Sequence, residues 1–262
     1  MNLIQLVLTL TSFNIVCLYI LIYTSSRQRK ISVFTAFMPF LIPLTAWLGM
    51  LLQGYFEIYE VTNRQILANT FLSLWALKFS TYNKNFKFIV LSIFFDEGRR
   101  LRGFSIREKT LNLFKFISCF MISLMPVISL NFLSGNSGLE VLDLLAASIF
   151  IVGFGYEARA LIELKQSSLQ PQVKKLCRQG LWSLSRHPDL LGQLISWWGL
   201  YLLAINAFGG EWSIFGPILV SFLYVKVLIP LLEVKLATQH QDYENYKVST
   251  SKLFPKIKIF NS

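Results

Sequence analysis

The sequence predicts an all-α fold: a polytopic transmembrane helical bundle of about seven spans, with the N-terminus outside and the C-terminus cytoplasmic. Three observations predict it. Of 262 residues, 54% are hydrophobic and only 15% charged, and the mean hydropathy is +0.52, too apolar for an ordinary soluble domain. Apolar stretches near the ~20 residues that cross a ~30 Å hydrocarbon core recur along the chain. Of the 25 Lys and Arg residues, 20 gather in alternate loops, the pattern expected of cytoplasmic loops under the positive-inside rule.

The first run, residues 3–23, has no basic residue ahead of it and no small-residue cleavage site, whereas Arg27, Arg29 and Lys30 follow; it reads as a retained first helix. Residues 33–52 form the second. The third, residues 66–81, is short and residues 86–95 form a shorter run still, so one of these reads as re-entrant or interfacial and six to eight spans fit. Residues 111–133, 141–162, 190–208 and 213–232 complete the set.

Three basic residues lie in the first loop, seven in residues 82–110, five in residues 163–189 and five in the tail from Glu233, while the intervening loops hold Arg64 alone. Lys78, Lys115, Arg159 and Lys226 lie within spans or at their ends. The net charge of +11 is therefore mainly topological. It points to membrane lipids rather than nucleic acid as partner, with some charge left for an anionic cofactor. The chain is expected as one integral membrane domain over residues 1–262, in a bacterial inner membrane or the endoplasmic reticulum.

Cys17, Cys119 and Cys177 are far apart with no Cys-x-x-Cys spacing, and His187 and His240 are the two histidines. Neither a disulfide framework nor a metal site is expected. Gly153-x-Gly155-x-x-Ala158 fits a loose dinucleotide pattern but lies inside an apolar helix with no strand before it, so the small residues are expected to serve close helix packing. No P-loop, Gly-x-Ser-x-Gly or His-Glu-x-x-His pattern is present, which removes the usual signals of nucleotide hydrolysis, ester hydrolysis and zinc proteolysis.

The richest stretch is Gly180-Leu181-Trp182, then Ser185-Arg186-His187-Pro188-Asp189, Gly192-Gln193 and Trp197-Trp198-Gly199. Arg-His-Pro at a membrane boundary supplies a cation and hydrogen-bonding groups, and its Pro pre-sets the first turn of the next helix. Two readings fit: a phosphate site near a helix N-terminus, or a headgroup anchor with a capping histidine and an interfacial tryptophan belt.

These residues carry a resemblance to the steroid 5-alpha-reductase-like integral membrane family, in a branch whose domain has no assigned function, related to the sterol reductases and the isoprenylcysteine carboxyl methyltransferases. Leu74-Trp75-Ala76-Leu77-Lys78 resembles that family's Trp-x-x-Arg helix with Lys for Arg, and Asp96-Glu97-Gly98-Arg99-Arg100 its acidic-Arg loop. Gly153-Phe154 with Glu157, Ile229-Pro230-Leu231-Leu232-Glu233, Tyr243-Glu244-Asn245-Tyr246, Thr250-Ser251 and Phe254-Pro255 follow in the family's order. The resemblance covers about residues 74–255.

It implies a cytoplasmic face that binds NADPH and a lipid-facing cavity that admits a steroid-like or other enone lipid for carbon-carbon double-bond reduction. Cofactor contacts are expected on Arg178, Trp182, Arg186, His187, Asp189, Gln193, Tyr243, Tyr246 and Lys247, with Lys252 a further cation for phosphate. No catalytic residue is singled out; Glu57, Tyr82 and Tyr156 are candidates for polarising an enone oxygen. The chain departs from the family pattern at Asp189-Leu190, Gln193, Leu161, Glu163 and Val227-Leu228. These departures keep open an S-adenosylmethionine-dependent lipid or isoprenylcysteine-type methyltransferase and a non-catalytic membrane protein. Of the ionisable groups within spans, Glu157 and Arg159 are two apart and cannot face one another on a helix, so Glu157 is expected to meet Lys226 or Lys78 as an ion pair, or to line a cavity.

Overall fold

Long apolar runs fold as helices because a helix satisfies all its backbone polar groups internally. A computed structural model of the protein describes residues 3–28, 31–58, 60–82, 122, 125–132, 138–168, 176–207 and 209–255. Their helices are α1 (Leu3–Gln28), α2 (Ile31–Tyr55), α3 (Asn63–Tyr82), α4 (Met125–Phe132), α5 (Val141–Ser168), the single turn α6 (Leu181–Leu184) and α7 (Pro188–Ala204). A 3-10 turn (Gly210–Ile214), α8 (Phe215–Leu223), a π turn (Tyr224–Leu228) and α9 (Ile229–Gln239) then run on continuously, and α10 (Tyr243–Ser249) follows. Among the described residues there is no strand, only an isolated parallel bridge between Ser185 and Ser251. Val141–Ser168 and the continuous Gly210–Gln239 are long and apolar enough to cross a membrane.

Helix ends depart from the expected runs for physical reasons. α1, α2, α3 and α5 continue past the last apolar residue, since backbone hydrogen bonding does not stop where hydropathy does. α7 stops at Ala204 rather than 208 because the chain turns there, with Gly209 left-handed at φ 68°. The expected run at 86–95 and most of 111–133 lie outside the described residues.

The chain divides into two compact units, the first Met1–Ala147 with Leu200–Leu219, the second Ser148–Gly199 with Val220–Ser262. In the first, α2 packs on α1 and α3, and α4 packs on α2, α3 and the 3-10 turn. Ala68, Leu72, Trp75, Ala76 and Phe79 are buried along α3 at the spacing of one helix stripe. A capping box starts that helix: Gln65 N–H donates to the Thr62 hydroxyl at 3.2 Å and Thr62 N–H to the Gln65 side chain at 2.9 Å. The buried Arg64 is neutralised by Asp143 through two bonds of 2.8 Å, and Asn69 and Asn131 exchange amide hydrogen bonds of 3.0 and 3.1 Å. Each charge and amide thus meets a partner suited to a low-dielectric interior.

In the second unit α5 and α7 cross with their backbones touching. A Cβ on Gly153 would lie 2.6 Å from the Ser196 nitrogen, and one on Gly192 would lie 2.5 Å from the Glu157 nitrogen. The expected packing role of the small residues therefore holds at Gly153, whereas Gly155 has nothing within 4 Å of its would-be Cβ.

Candidate functional site

The site lies within the second unit and is built from the Gly180–Asp189 segment, Glu233 on α9, and the Tyr243–Ser251 segment. Gly180 opens it with φ 58°, where a side chain is disfavoured, and a Cβ there would meet the Glu163 carboxylate at 2.4 Å. That carboxylate, ion-paired to Arg159 one turn back at 2.9 Å, accepts the Leu181 N–H at 2.9 Å. The indole of Trp182 donates to the Ala160 carbonyl at 2.9 Å. Gly180-Leu181-Trp182 is thus a clasp that fastens the start of the motif to the end of α5, and the polar atom of Trp182 is engaged within the fold.

From this clasp the chain runs extended beside the C-terminal segment. Arg186 N–H donates to the Ser251 carbonyl at 2.9 Å, the Ser251 hydroxyl donates to the Leu184 carbonyl at 2.7 Å, and the Tyr246 hydroxyl donates to the Trp182 carbonyl. His187 accepts the first helical bond of α7 from Leu191 N–H at 3.1 Å, and Pro188 takes the first helical position, where its missing N–H costs nothing. The Pro therefore starts the helix as the sequence implies.

At the centre the Arg186 guanidinium pairs with Glu233 at 2.8 Å and donates to the Lys247 carbonyl at 3.0 Å, while His187 Nε2 faces the same carboxylate at 3.6 Å. Arg186 is 6% exposed, His187 2% and Tyr243 1%, so these groups are withdrawn from bulk water. Arg186 Nε and Asp189 Oδ1 are nonetheless buried without a hydrogen-bond partner, and the equally buried His187 Nε2 and Tyr243 hydroxyl share the Glu233 carboxylate as a neighbour. Such atoms are few in a folded protein; Gln53 and Tyr156 carry others, but they concentrate on this stretch and its neighbour. Burial, and then the negative charge of Glu233, pushes the Tyr243 phenol up to about 12, and burial raises Tyr246 as well, so both remain protonated donors at physiological pH.

Of the nine residues expected at a cofactor, the fold joins Trp182, Arg186, His187, Tyr243, Tyr246 and Lys247, with Asp189 in the first turn of α7, where burial raises its carboxyl above the usual range against the opposing pull of His187. Arg178 borders the set: its guanidinium lies 5.5 Å over the Tyr246 ring and donates to the Asp242 carbonyl at 2.6 Å. Lys247 contributes its backbone, while its ammonium lies 3.5 Å from Glu244 near the surface. Gln193 belongs to a different group. Its amide nitrogen donates to the buried Glu157 at 3.0 Å and its amide oxygen accepts the Tyr224 hydroxyl. Glu157 thus meets an amide, and Lys226, one of its two expected partners, is exposed on its helix. Glu57 and Tyr156 lie in different units, and the side chain of Tyr82 is outside the described residues.

Two residues outside the set expected from the sequence have defined places, Glu233 at the centre of the cluster and Tyr224 in the neighbouring Gln193 group. Glu233 had a signal: a carboxylate following the apolar run of α9 needs a partner. Tyr224 had none, because a tyrosine within an apolar run does not disclose which side chain it meets. Among the described residues no cluster of His, Cys, Asp and Glu suited to a metal occurs.

An all-helical chain with two membrane-length apolar helices and a buried, incompletely satisfied Arg-His-Glu-Tyr cluster defines a class of protein with a polar site on an apolar scaffold. The chain belongs to the family described as a protein of unknown function (DUF1295), whose model matches residues 18–250. No curated protein and no solved structure matches it.

Proposed function

We propose that the protein is a multi-pass membrane reductase of the steroid 5-alpha-reductase-like kind, which uses NADPH to reduce a carbon-carbon double bond in a steroid-like or other enone lipid. The second unit's polar cluster faces the cytoplasm in this reading, as the alternation of basic loops requires. The observation that supports it is the concentration of buried polar groups on Arg186, His187, Asp189 and Tyr243, of which Arg186 Nε and Asp189 Oδ1 have no hydrogen-bond partner.

These residues fit a nucleotide. Arg186 Nε and the Tyr243 hydroxyl are donors for phosphate oxygens, and the oxygens of Asp189 and Glu233 are acceptors for ribose hydroxyls or a carboxamide. When bound, NADPH supplies the hydride. Arg186, held from behind by Glu233 and the Lys247 carbonyl, keeps a fixed orientation at little further entropic cost. The protonated tyrosines add no negative charge that would repel phosphate. The aromatic and aliphatic surroundings exclude water, which strengthens each of these contacts.

The same juxtaposition favours one second reading. A cation beside two carboxylates also suits the amino-acid end of S-adenosylmethionine, with Arg186 on its carboxylate and Asp189 or Glu233 on its ammonium or sulfonium. Detergent-purified protein given deuteride-labelled NADPH and a panel of enone lipids is expected to move the label onto one saturated product. Transfer of a labelled methyl group from S-adenosylmethionine to a lipid instead would replace the reductase reading.

A further inference from the structure

The continuous helix Gly210–Gln239 carries two polar anchors. At Tyr224 its hydroxyl bonds Gln193, and nine residues later Glu233 meets Arg186 and His187. Both targets belong to one stretch of chain, 186–193, so both anchors have to face the same side. A regular α-helix forbids this: nine steps of about 100° turn the second anchor roughly 180° from the first. The helix instead widens into a π turn at Tyr224–Leu228, between the two anchors. A π turn absorbs one extra residue, which removes about one step of rotation and leaves the anchors roughly 80° apart.

Gln193 is matched to this task. Glu157 can only accept, so it takes the Gln193 amide N–H at 3.0 Å and thereby fixes the amide oxygen toward the Tyr224 hydroxyl. A carboxylate at 193 has no proton to give Glu157. The amide is the group that joins an acceptor on one side to a donor on the other.

We propose that the π turn sets the register of the Arg186 cluster, and that Gln193 and Tyr224 are positioning residues that hold the helix at the rotation delivering Glu233 to Arg186 and His187. The consequence for ligand binding rests on the reading of that cluster as the NADPH site; the register itself does not.

Two arms keep these apart. In a background with Cys17, Cys119 and Cys177 replaced by Ser, a pair made by Arg186→Cys and Glu233→Cys is expected to be cross-linked by a short bifunctional thiol reagent that spans the length of the two replaced side chains, and to lose that cross-link when Val227 is deleted from the π turn. For NADPH binding, deletion of Val227 and the single change Gln193→Glu are each expected to weaken affinity about tenfold or more, the scale of one lost charged hydrogen bond. The exchange Glu157→Gln with Gln193→Glu keeps donor and acceptors in order and is expected to restore wild-type affinity, which separates positioning from mere loss of folding. A cross-link that survives the deletion, or an exchange variant no better than Gln193→Glu, overturns the inference. If the wild type binds no NADPH, the functional reading fails, and the cross-link alone decides the register.

Discussion

At position 180 a side chain meets two obstacles, a left-handed backbone and the Glu163 carboxylate that Arg159 and the Leu181 N–H hold in place. Gly180→Ala is expected to cost about 1 to 2 kcal/mol in thermal unfolding of the detergent-solubilised protein. Glu233→Gln removes the counter-charge of the buried Arg186 and is expected to cost about 2 kcal/mol in the same measurement. Tyr243 predicts the behaviour in alkali. Its folded-state value of about 12 stands above the ordinary 10.0, so folding favours the protonated phenol. The contribution is fully present below 10.0, falls as pH rises from there toward 12, and is gone above it. Over that window wild type is expected to lose more stability than Tyr243→Phe; equal losses would show that the phenol is solvated. Most of this cluster was legible, because Arg186, His187, Tyr243 and Tyr246 stand in recognisable short patterns. Glu163 and Gln193 were visible only as departures, since their meaning lies in the residues across from them, Gly180 and Glu157.

At the scale of elements, the crossing of α5 and α7 depends on two backbones in contact. Gly192→Ala drives a Cβ into the Glu157 backbone and is expected to cost about 2 to 3 kcal/mol, whereas Gly155→Ala enters open space and is expected to be neutral or to stabilise by up to about 1 kcal/mol. Comparable losses at both sites would contradict the close crossing. Periodic hydropathy revealed where helices exist because burial and backbone satisfaction act over whole turns. It did not reveal the extension of the last helix back to Gly210 and on to Gln239, or the π turn within it. A one-residue change of winding leaves composition untouched and is dictated by what both ends of the helix must touch.

For the whole molecule, composition and the alternation of basic loops carry the membrane expectation and the family resemblance carries the functional one, while both units keep buried polar groups that an apolar scaffold holds only at a cost. The first unit pairs Arg64 with Asp143 and Asn69 with Asn131, while the Gln53 amide nitrogen there has no hydrogen-bond partner. In the second, Arg186 Nε and Asp189 Oδ1 have none, and His187 Nε2 and the Tyr243 hydroxyl face the Glu233 carboxylate. On the proposed reading, this concentration of buried polar atoms awaits a polar ligand. Direct binding of NADPH, with S-adenosylmethionine as the paired control, to detergent-purified wild type, Arg186→Ala and His187→Ala tests it most directly. Saturable NADPH binding by wild type, weakened at least about tenfold in folded Arg186→Ala, is the predicted result; no NADPH binding by folded wild-type protein, or equal binding by all three forms, would contradict it.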